Sequence, residues 1–158
     1  MALPNRPPNT IFLGGGDGPG GESAITVVND LVTTGTPIPG MAAETYNDGG
    51  VQKWRAHSTA GGGGQRAVYL EELYWAKDVN DPYKVNSLAR VGIGRQGTTF
   101  WMIVPSGQNI VNSDLLESNG DGRLRKLTSG VPLYKAQEST GGLVTKDTRI
   151  RVEVYVAS

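Results

Sequence analysis

The sequence contains one histidine, His57, which stands next to Ser58. With an acidic residue from elsewhere, such a pair would supply a nucleophile, a general base and a group that orients the base. However, the sequence has no G-x-S-x-G nucleophile elbow, and a single histidine near a Gly-rich stretch (61–64) is more typical of a surface residue. Zinc binding would need several His or Cys ligands, and the chain has no Cys. We therefore expect no catalytic residue, no metal ligand and no enzymatic activity.

Two Gly-rich motifs are similar to ligand-binding loops. Residues 16–21 match the dinucleotide pattern G-x-G-x-x-G, but Pro19 and the strand-like residues that follow leave no helix to receive a pyrophosphate. Residues 117–122 are similar to the start of an EF-hand loop, which begins with Asp and needs a bidentate Glu at its twelfth position. This chain has Glu117 first and Thr128 twelfth. We expect a flexible arm and a hairpin turn, with weak calcium binding as the alternative at the second motif and no cofactor.

Composition restricts the classes of partner. The chain has 158 residues, which fits one domain, and its 15 Lys and Arg balance its 15 Asp and Glu. A neutral chain has no basic field to hold phosphates, so nucleic acid is not the expected partner. No apolar run approaches the length of a bilayer span, and the first residues lack the basic region and apolar core of a signal peptide. We expect neither export nor a membrane association.

Short alternating segments between Gly- and Pro-rich turns predict an all-β domain. The clearest is 148–156, in which Ile150, Val152, Val154 and Val156 would face a core. The Asn-Gly-Asp-Gly sequence at 119–122 supplies the positive φ angles of a tight reversal between two strands. Strands spaced in this way favour an antiparallel sandwich or barrel. The other predicted strands are 24–28, 41–46, 51–56, 67–70, 88–93, 100–104, 110–117 and 123–127. Helix and strand compete in 67–77, where we predict a strand first, with one helical turn after it as the alternative.

The first 22 residues differ in composition from the rest of the chain. Their prolines favour extended backbone and their Gly run cannot nucleate a helix. We predict an extended N-terminal arm (1–22) and a single β-rich domain (23–158). Ile11, Phe12 and Leu13 are the apolar residues of the arm, and short apolar anchors of this kind suit contacts with a neighbouring subunit. Trp54 is a second candidate contact, with a place in a second core layer as the equal alternative.

Five segments together resemble small structural proteins of tailed bacteriophages, which are described as capsid decoration or cement proteins. The resemblance spans about 66–156 and leaves the first sixty-odd residues unmatched. The family pattern often has Gly-Asp where this chain has Ser113-Asp114, and again near Asn86-Ser87. The segments are Pro105–Leu124, Val68–Glu72, Asp78–Tyr83, Ala136–Glu138 and Arg149–Val154.

The resemblance implies a virion structural protein rather than an enzyme. It would bind the outside of the expanded capsid and stabilise contacts between major capsid proteins, after assembly in the host cytoplasm. A closed homo-oligomer fits this role, and we favour a homotrimer over a homodimer. The alternatives are another virion role, in the tail or in head completion, a carbohydrate-binding β-sandwich that uses exposed Trp and Tyr, and a small hydrolase that uses His57.

Overall fold

A computed structural model describes residues 10–15, 25–73 and 77–157. Within them the chain forms eleven β-strands and no helix, so none of the described residues provides a helix that could span a membrane. The all-β prediction is confirmed. The strands are β1 Phe12–Gly15, β2 Ile25–Val28, β3 Ala42–Asp48, β4 Val51–Ala56, β5 Ala67–Tyr69, β6 Val91–Gly94, β7 Thr98–Val104, β8 Leu115–Ser118, β9 Leu124–Lys126, β10 Tyr134–Ala136 and β11 Thr148–Val154.

The strands form two antiparallel sheets that pack together as a sandwich and do not close into a barrel. The first sheet has the order β1-β7-β11-β10-β8-β9, and the second has the order β2-β6-β5-β3-β4. The two longest pairings have six residue pairs each: β7 with β11, from Thr148 opposite Val104 to Glu153 opposite Thr99, and β3 with β4. The sandwich alternative of the sequence prediction is therefore the observed one.

The main core lies between the two sheets. Val68 and Ala42 of the five-stranded sheet meet Phe100, Met102 and other apolar residues of the six-stranded sheet. Because strand side chains alternate in direction, the neighbours of Val68 and Ala42 point to the opposite face of the five-stranded sheet. A second cluster covers that face. It consists of Ala43, Trp54, Ala67, Tyr69, Tyr83, Ala89 and Val91.

The loop segment 77–90 supplies the cover for this second face. The Tyr83 hydroxyl donates to the carbonyl of Leu70 at 2.5 Å, and its ring packs 5.4 Å from that of Tyr69. Burial raises the pKa of both tyrosine hydroxyls well above the usual value, so they stay neutral hydrogen-bonding groups. β5 of this sheet is thus buried on both faces, which explains the unbroken apolar run around Val68.

Part of the predicted arm belongs to the folded domain. β1 pairs with β7 at the edge of the six-stranded sheet, and Ile11 is completely buried in the main core. The remaining arm residues, 1–9 and 16–22, lie outside the described residues, as does the Gly-rich motif at 16–21.

The strand predictions hold for most of the chain, with four corrections. Residues 110–114 form a loop rather than a strand, and neither β1 nor β10 was predicted as a strand. Val156 is exposed, because β11 ends at Val154 and the chain leaves the sheet there. The reversal at 119–122 does join β8 to β9, with Gly120 and Gly122 at φ 90° and 86°.

Candidate functional site

His57 is buried beside a serine, but that serine is Ser118 rather than its sequence neighbour. Ser118 Oγ lies 2.8 Å from His57 Nδ1, and His57 Nε2 lies 3.1 Å from the carbonyl oxygen of Gly63. A carbonyl can only accept, so Nε2 carries a proton; when the imidazole is neutral, Nδ1 then accepts from the Ser118 hydroxyl. Ser118 Oγ in turn accepts from the Gly120 N–H at 3.1 Å. The geometry thus defines one neutral tautomer of the imidazole.

Glu44 stands at the other side of the imidazole. Its Oε2 lies 3.9 Å from His57 Nε2, while its Oε1 accepts from Ser58 Oγ at 2.6 Å and from Arg55 Nε at 2.8 Å. Partial burial would raise the pKa of Glu44, but the hydrogen bonds from Ser58 and Arg55 lower it below its usual value. Ser58 is therefore engaged by Glu44 and does not contact the imidazole.

The Ser118–His57–Glu44 sequence of contacts has the residue types of a catalytic triad but lacks access. His57 is 2% exposed and Ser118 is 0% exposed, so no substrate carbonyl can approach the hydroxyl. The contacts instead join the Gly-rich segment 61–64 to the hairpin of β8 and β9. The prediction that His57 lies on the surface is wrong, because the hairpin and the Gly-rich segment close over the ring.

Glu117 forms a second buried polar cluster next to the first. Its Oε1 accepts from Arg125 Nε and Thr128 Oγ1, both at 2.8 Å, and its Oε2 accepts from the Gly130 N–H at 2.6 Å. Burial would raise the pKa of this carboxyl, but the three donors together lower it below its usual value. Both oxygens of Glu117 are thereby used inside the fold.

The calcium alternative at residues 117–128 does not fit this arrangement. The Glu117 carboxylate is completely buried and already paired with Arg125, and Thr128 donates to it rather than lying across a metal site. Among the described residues, no group of three or more His, Asp or Glu side chains is placed to hold a metal ion. The segment is a hairpin, as the preferred prediction had it.

Two hydrogen-bonded loops lie at one end of the six-stranded sheet. They follow β7 and precede β11, and we call residues 105–114 and 137–147 the loop pair. Gly107 N donates to the carbonyl of Val144 at 2.7 Å, and Thr140 N donates to that of Ile110 at 2.9 Å. Ile110 is completely buried, which anchors the pair to the core. Further contacts are Val144 N to Gln108 O and Asn112 N to Ser139 Oγ.

The loop pair presents apolar side chains to solvent. Leu143 is 71% exposed and Val111 is 50% exposed. Arg123 of the hairpin adds an ion pair to Asp147 at 2.7 Å, and Asp114 pairs with Lys126 at 3.1 Å. Asp121 also binds Arg123. Burial would raise the pKa of Asp121, but the hydrogen bonds that it accepts from Arg123 and Asn119 lower it. The loop pair thus combines two exposed apolar residues with carboxylates that are paired.

No protein-family model matches the chain, and no similar protein is found among curated proteins.

The four residues predicted to contact a partner are not gathered at this surface. Ile11 lies in the main core and Trp54 in the second cluster, and both are buried, so their side chains offer no surface to a partner. For Trp54 the core alternative is the observed one. Phe12 and Leu13 are half-buried at the edge strand β1, where the Phe12 ring lies 6.2 Å from that of Phe100. A partner contact through these two residues stays a prediction.

The aromatic side chains bear on the carbohydrate-binding alternative. Trp54 is buried, and the Trp101 ring is half-buried with the Arg149 guanidinium 5.3 Å from its centre. Trp75 lies outside the described residues. Trp54 therefore offers no ring face on which a sugar could stack, and the Arg149 guanidinium lies over the ring of Trp101.

Sequence reasoning did not single out Val111, Leu143 or Ser118. Val111 lies in the predicted strand 110–117 and was not distinguished from its neighbours, while Leu143 stands in a polar, Gly-containing segment. Ser118 is 61 residues from His57 along the chain. The Gly141-Gly142 turn before Leu143 was the one local signal of an exposed loop tip.

Proposed function

We propose that the chain is a capsid decoration protein of a tailed bacteriophage. It binds the outer surface of the expanded capsid and stabilises contacts between major capsid proteins. The proposal rests on the resemblance of the segments between 66 and 156, and one structural observation supports that resemblance.

The observation concerns the two places where the chain departs from the family pattern. That pattern often has Gly at or near Ser113 and Asn86. In the described part of the chain these are the two non-glycine residues with positive φ, 79° for Ser113 and 59° for Asn86. Glycine is the residue that adopts such angles without a steric cost. A backbone that calls for Gly where the family has Gly is what a shared fold would produce.

The loop pair is the proposed contact surface. It contains the first half of Pro105–Leu124, the longest segment of the resemblance, and it exposes Val111 and Leu143 on a hydrogen-bonded frame. Burying a Val or Leu side chain contributes about 1.5–3 kcal/mol. A preformed loop loses little conformational entropy on binding, so more of that free energy appears as affinity.

Mass action then stabilises the shell. A protein that binds the assembled lattice and not the free subunits stabilises the lattice by its own binding free energy. If the protein forms a trimer, three modest contacts act together through their high effective concentration. Closed symmetry would place a homotrimer at a threefold position of the capsid.

The test uses empty expanded capsids of the phage that encodes the chain. We expect the purified protein to co-sediment with them and to raise their melting temperature. The Val111→Ser/Leu143→Ser variant should bind about tenfold or more weakly because two buried apolar contacts are lost. Val51→Ser, which replaces an exposed valine of β4 in the other sheet, is the matched control.

Three outcomes would count against the proposal. Absence of the wild-type protein from sedimented capsids removes the function itself. Binding to tails alone supports the tail alternative. Equal weakening by Val51→Ser and by the double variant removes the loop pair as the contact surface.

A further inference from the structure

The turn between β8 and β9 contains the one Asn-Gly pair of the sequence, Asn119-Gly120. In such a pair the backbone nitrogen of the glycine can lose its proton and attack Cγ of the asparagine. The new N–C bond closes a succinimide ring and releases ammonia, and water then opens the ring to aspartate or isoaspartate. Glycine favours this reaction because it has no Cβ to hinder the approach. Asn119 is therefore the asparagine of this chain most prone to deamidation.

The folded protein engages the nitrogen that would attack. The Gly120 N–H donates to Ser118 Oγ at 3.1 Å, and Ser118 Oγ lies 2.8 Å from His57 Nδ1. His57 is 2% exposed and Ser118 is 0% exposed, so water does not compete for the hydroxyl. An N–H group must break its hydrogen bond before it can lose its proton to solvent. The nucleophile of the reaction is thus held by a buried acceptor.

The side-chain amide that would be attacked is held as well. Asn119 Nδ2 donates to Asp121 Oδ2 at 3.1 Å, and the Asn119 N–H donates to the carbonyl of Arg123 at 2.9 Å. Ring closure requires the Asn119 side chain to rotate until Cγ meets the nitrogen of Gly120. That rotation would break the contact with Asp121, so the reacting groups are restrained on both sides of the new bond.

The neighbouring loop leaves the turn little room to change shape. A Cβ atom placed on Gly120 would lie 3.0 Å from the backbone nitrogen of Ala60. The Gly61 N–H donates to the carbonyl of Ser118 at 2.8 Å, which fastens the same loop to β8. A distortion of the Asn-Gly bond toward the ring-closing geometry therefore requires the loop to open as well.

We propose that Asn119 is the site at which this chain spontaneously deamidates, and that the buried His57–Ser118 pair suppresses the reaction in the folded protein. The pair is closed to any substrate. Its burial serves this second role, because no water weakens the hydrogen bond that holds the Gly120 N–H.

The product of the reaction would damage the turn. Deamidation replaces the amide that donates to Asp121 with a second carboxylate, so a hydrogen bond becomes a repulsion between like charges. Asp121 also pairs with Arg123, which in turn pairs with Asp147. The added charge would therefore disturb the contacts that join the hairpin to the loop before β11.

The test compares the rate of deamidation in full-length proteins at mildly alkaline pH. Mass spectrometry of peptides, with fragment ions that locate the site, measures the conversion of Asn119 to aspartate and isoaspartate. The informative variant is Ser118→Ala, which removes the acceptor of the Gly120 N–H. Because this change also lowers overall stability, the matched control is Val152→Ala, which shortens a core side chain of β11, two strands from β8. Urea denaturation of both variants measures the stability that each has lost.

We expect Asn119 to convert about tenfold or more faster in Ser118→Ala than in Val152→Ala, because only the first variant frees the attacking N–H. Equal rates in the two variants would overturn the proposal, since protection would then come from overall stability. Wild-type protein unfolded in urea should convert at Asn119 before any other asparagine, and about tenfold or more faster than the folded protein. Preferential conversion at a different asparagine would also overturn it.

A second measurement needs only the wild-type protein and therefore does not depend on the folding of a variant. We expect the Gly120 N–H to exchange slowly with deuterated water, because a buried acceptor holds it. Exchange of this N–H at the rate of the unfolded chain would show that Ser118 does not protect it, and would overturn the role proposed for the His57–Ser118 pair.

Discussion

Ser118 Oγ and His57 Nδ1 share a hydrogen bond of 2.8 Å, in the interior of the protein and between residues 61 positions apart. Beside it, Glu117 accepts three hydrogen bonds from Arg125, Thr128 and Gly130. These two adjacent residues of β8 direct their side chains into separate polar clusters, because successive strand side chains face opposite ways. Both clusters join the β8–β9 hairpin to the loops around it.

The Ser118→Ala variant should be clearly less stable than the wild type. The substitution leaves the buried Nδ1 of His57 and the N–H of Gly120 without their partner. We expect the free energy of unfolding to fall by about 2–3 kcal/mol, measured by urea denaturation. Ser106→Ala, at an exposed loop position, should change it by less than about 0.5 kcal/mol. Similar values for the two variants would show that the contact with His57 adds no stability.

The contribution of Glu117 should depend on pH. Its folded-state pKa is lowered below the ordinary value of 4.5, so its contribution is present above that pH and is lost as the pH falls through the folded-state pKa. At neutral pH, Glu117→Gln should lower the free energy of unfolding by about 1.5–3 kcal/mol.

The difference between wild type and Glu117→Gln should then shrink as the pH is lowered below 4.5, as followed by urea unfolding at a series of pH values. Asp30→Asn, at an exposed position, is the control for the loss of one carboxylate. A difference between wild type and Glu117→Gln that stays constant down to low pH would contradict the assignment.

Gly130 should tolerate no side chain. A Cβ atom at this position would collide with Glu117 Oε2 and with the backbone of Gly61, whose carbonyl oxygen would be 2.6 Å away. We expect Gly130→Ala to lower the free energy of unfolding by about 3 kcal/mol or more, which would appear as a strongly lowered melting temperature. At Gly63 an added Cβ would meet Val131 at 3.6 Å, an ordinary contact, so Gly63→Ala provides the comparison. A melting temperature equal to that of Gly63→Ala would refute the predicted clash.

Ser113→Gly should stabilise the protein. Ser113 has φ 79°, and a residue with a side chain pays about 1–2 kcal/mol for this conformation, while glycine pays about 0.5–1 kcal/mol in unfolded-state entropy. The net expectation is a gain of about 0.5–1 kcal/mol in the free energy of unfolding. Ser106→Gly, where φ is not positive, should instead destabilise. A loss of stability on Ser113→Gly would remove the structural support for the resemblance.

The sequence determined the class of fold because that information is local. Alternation with a period of two assigned 148–154 to a strand and identified Ile150, Val152 and Val154 as its buried side. The Gly-containing turn at 119–122 fixed the hairpin between β8 and β9, since Gly120 and Gly122 adopt the φ angles that such a reversal needs.

The tertiary structure alone decided which residues meet. The sequence left Trp54 free to face a partner or a core, and the structure places it in a core because the segment 77–90 covers the second face of the five-stranded sheet. Ile11 stands in the predicted arm, and the pairing of β1 with β7 makes it part of the main core. His57 met Ser118 only because the order of strands brings β8 beneath the segment after β4. Periodicity reports which way a side chain faces, but the order of strands in the sheets sets what it faces, and that order depends on contacts between residues far apart in sequence.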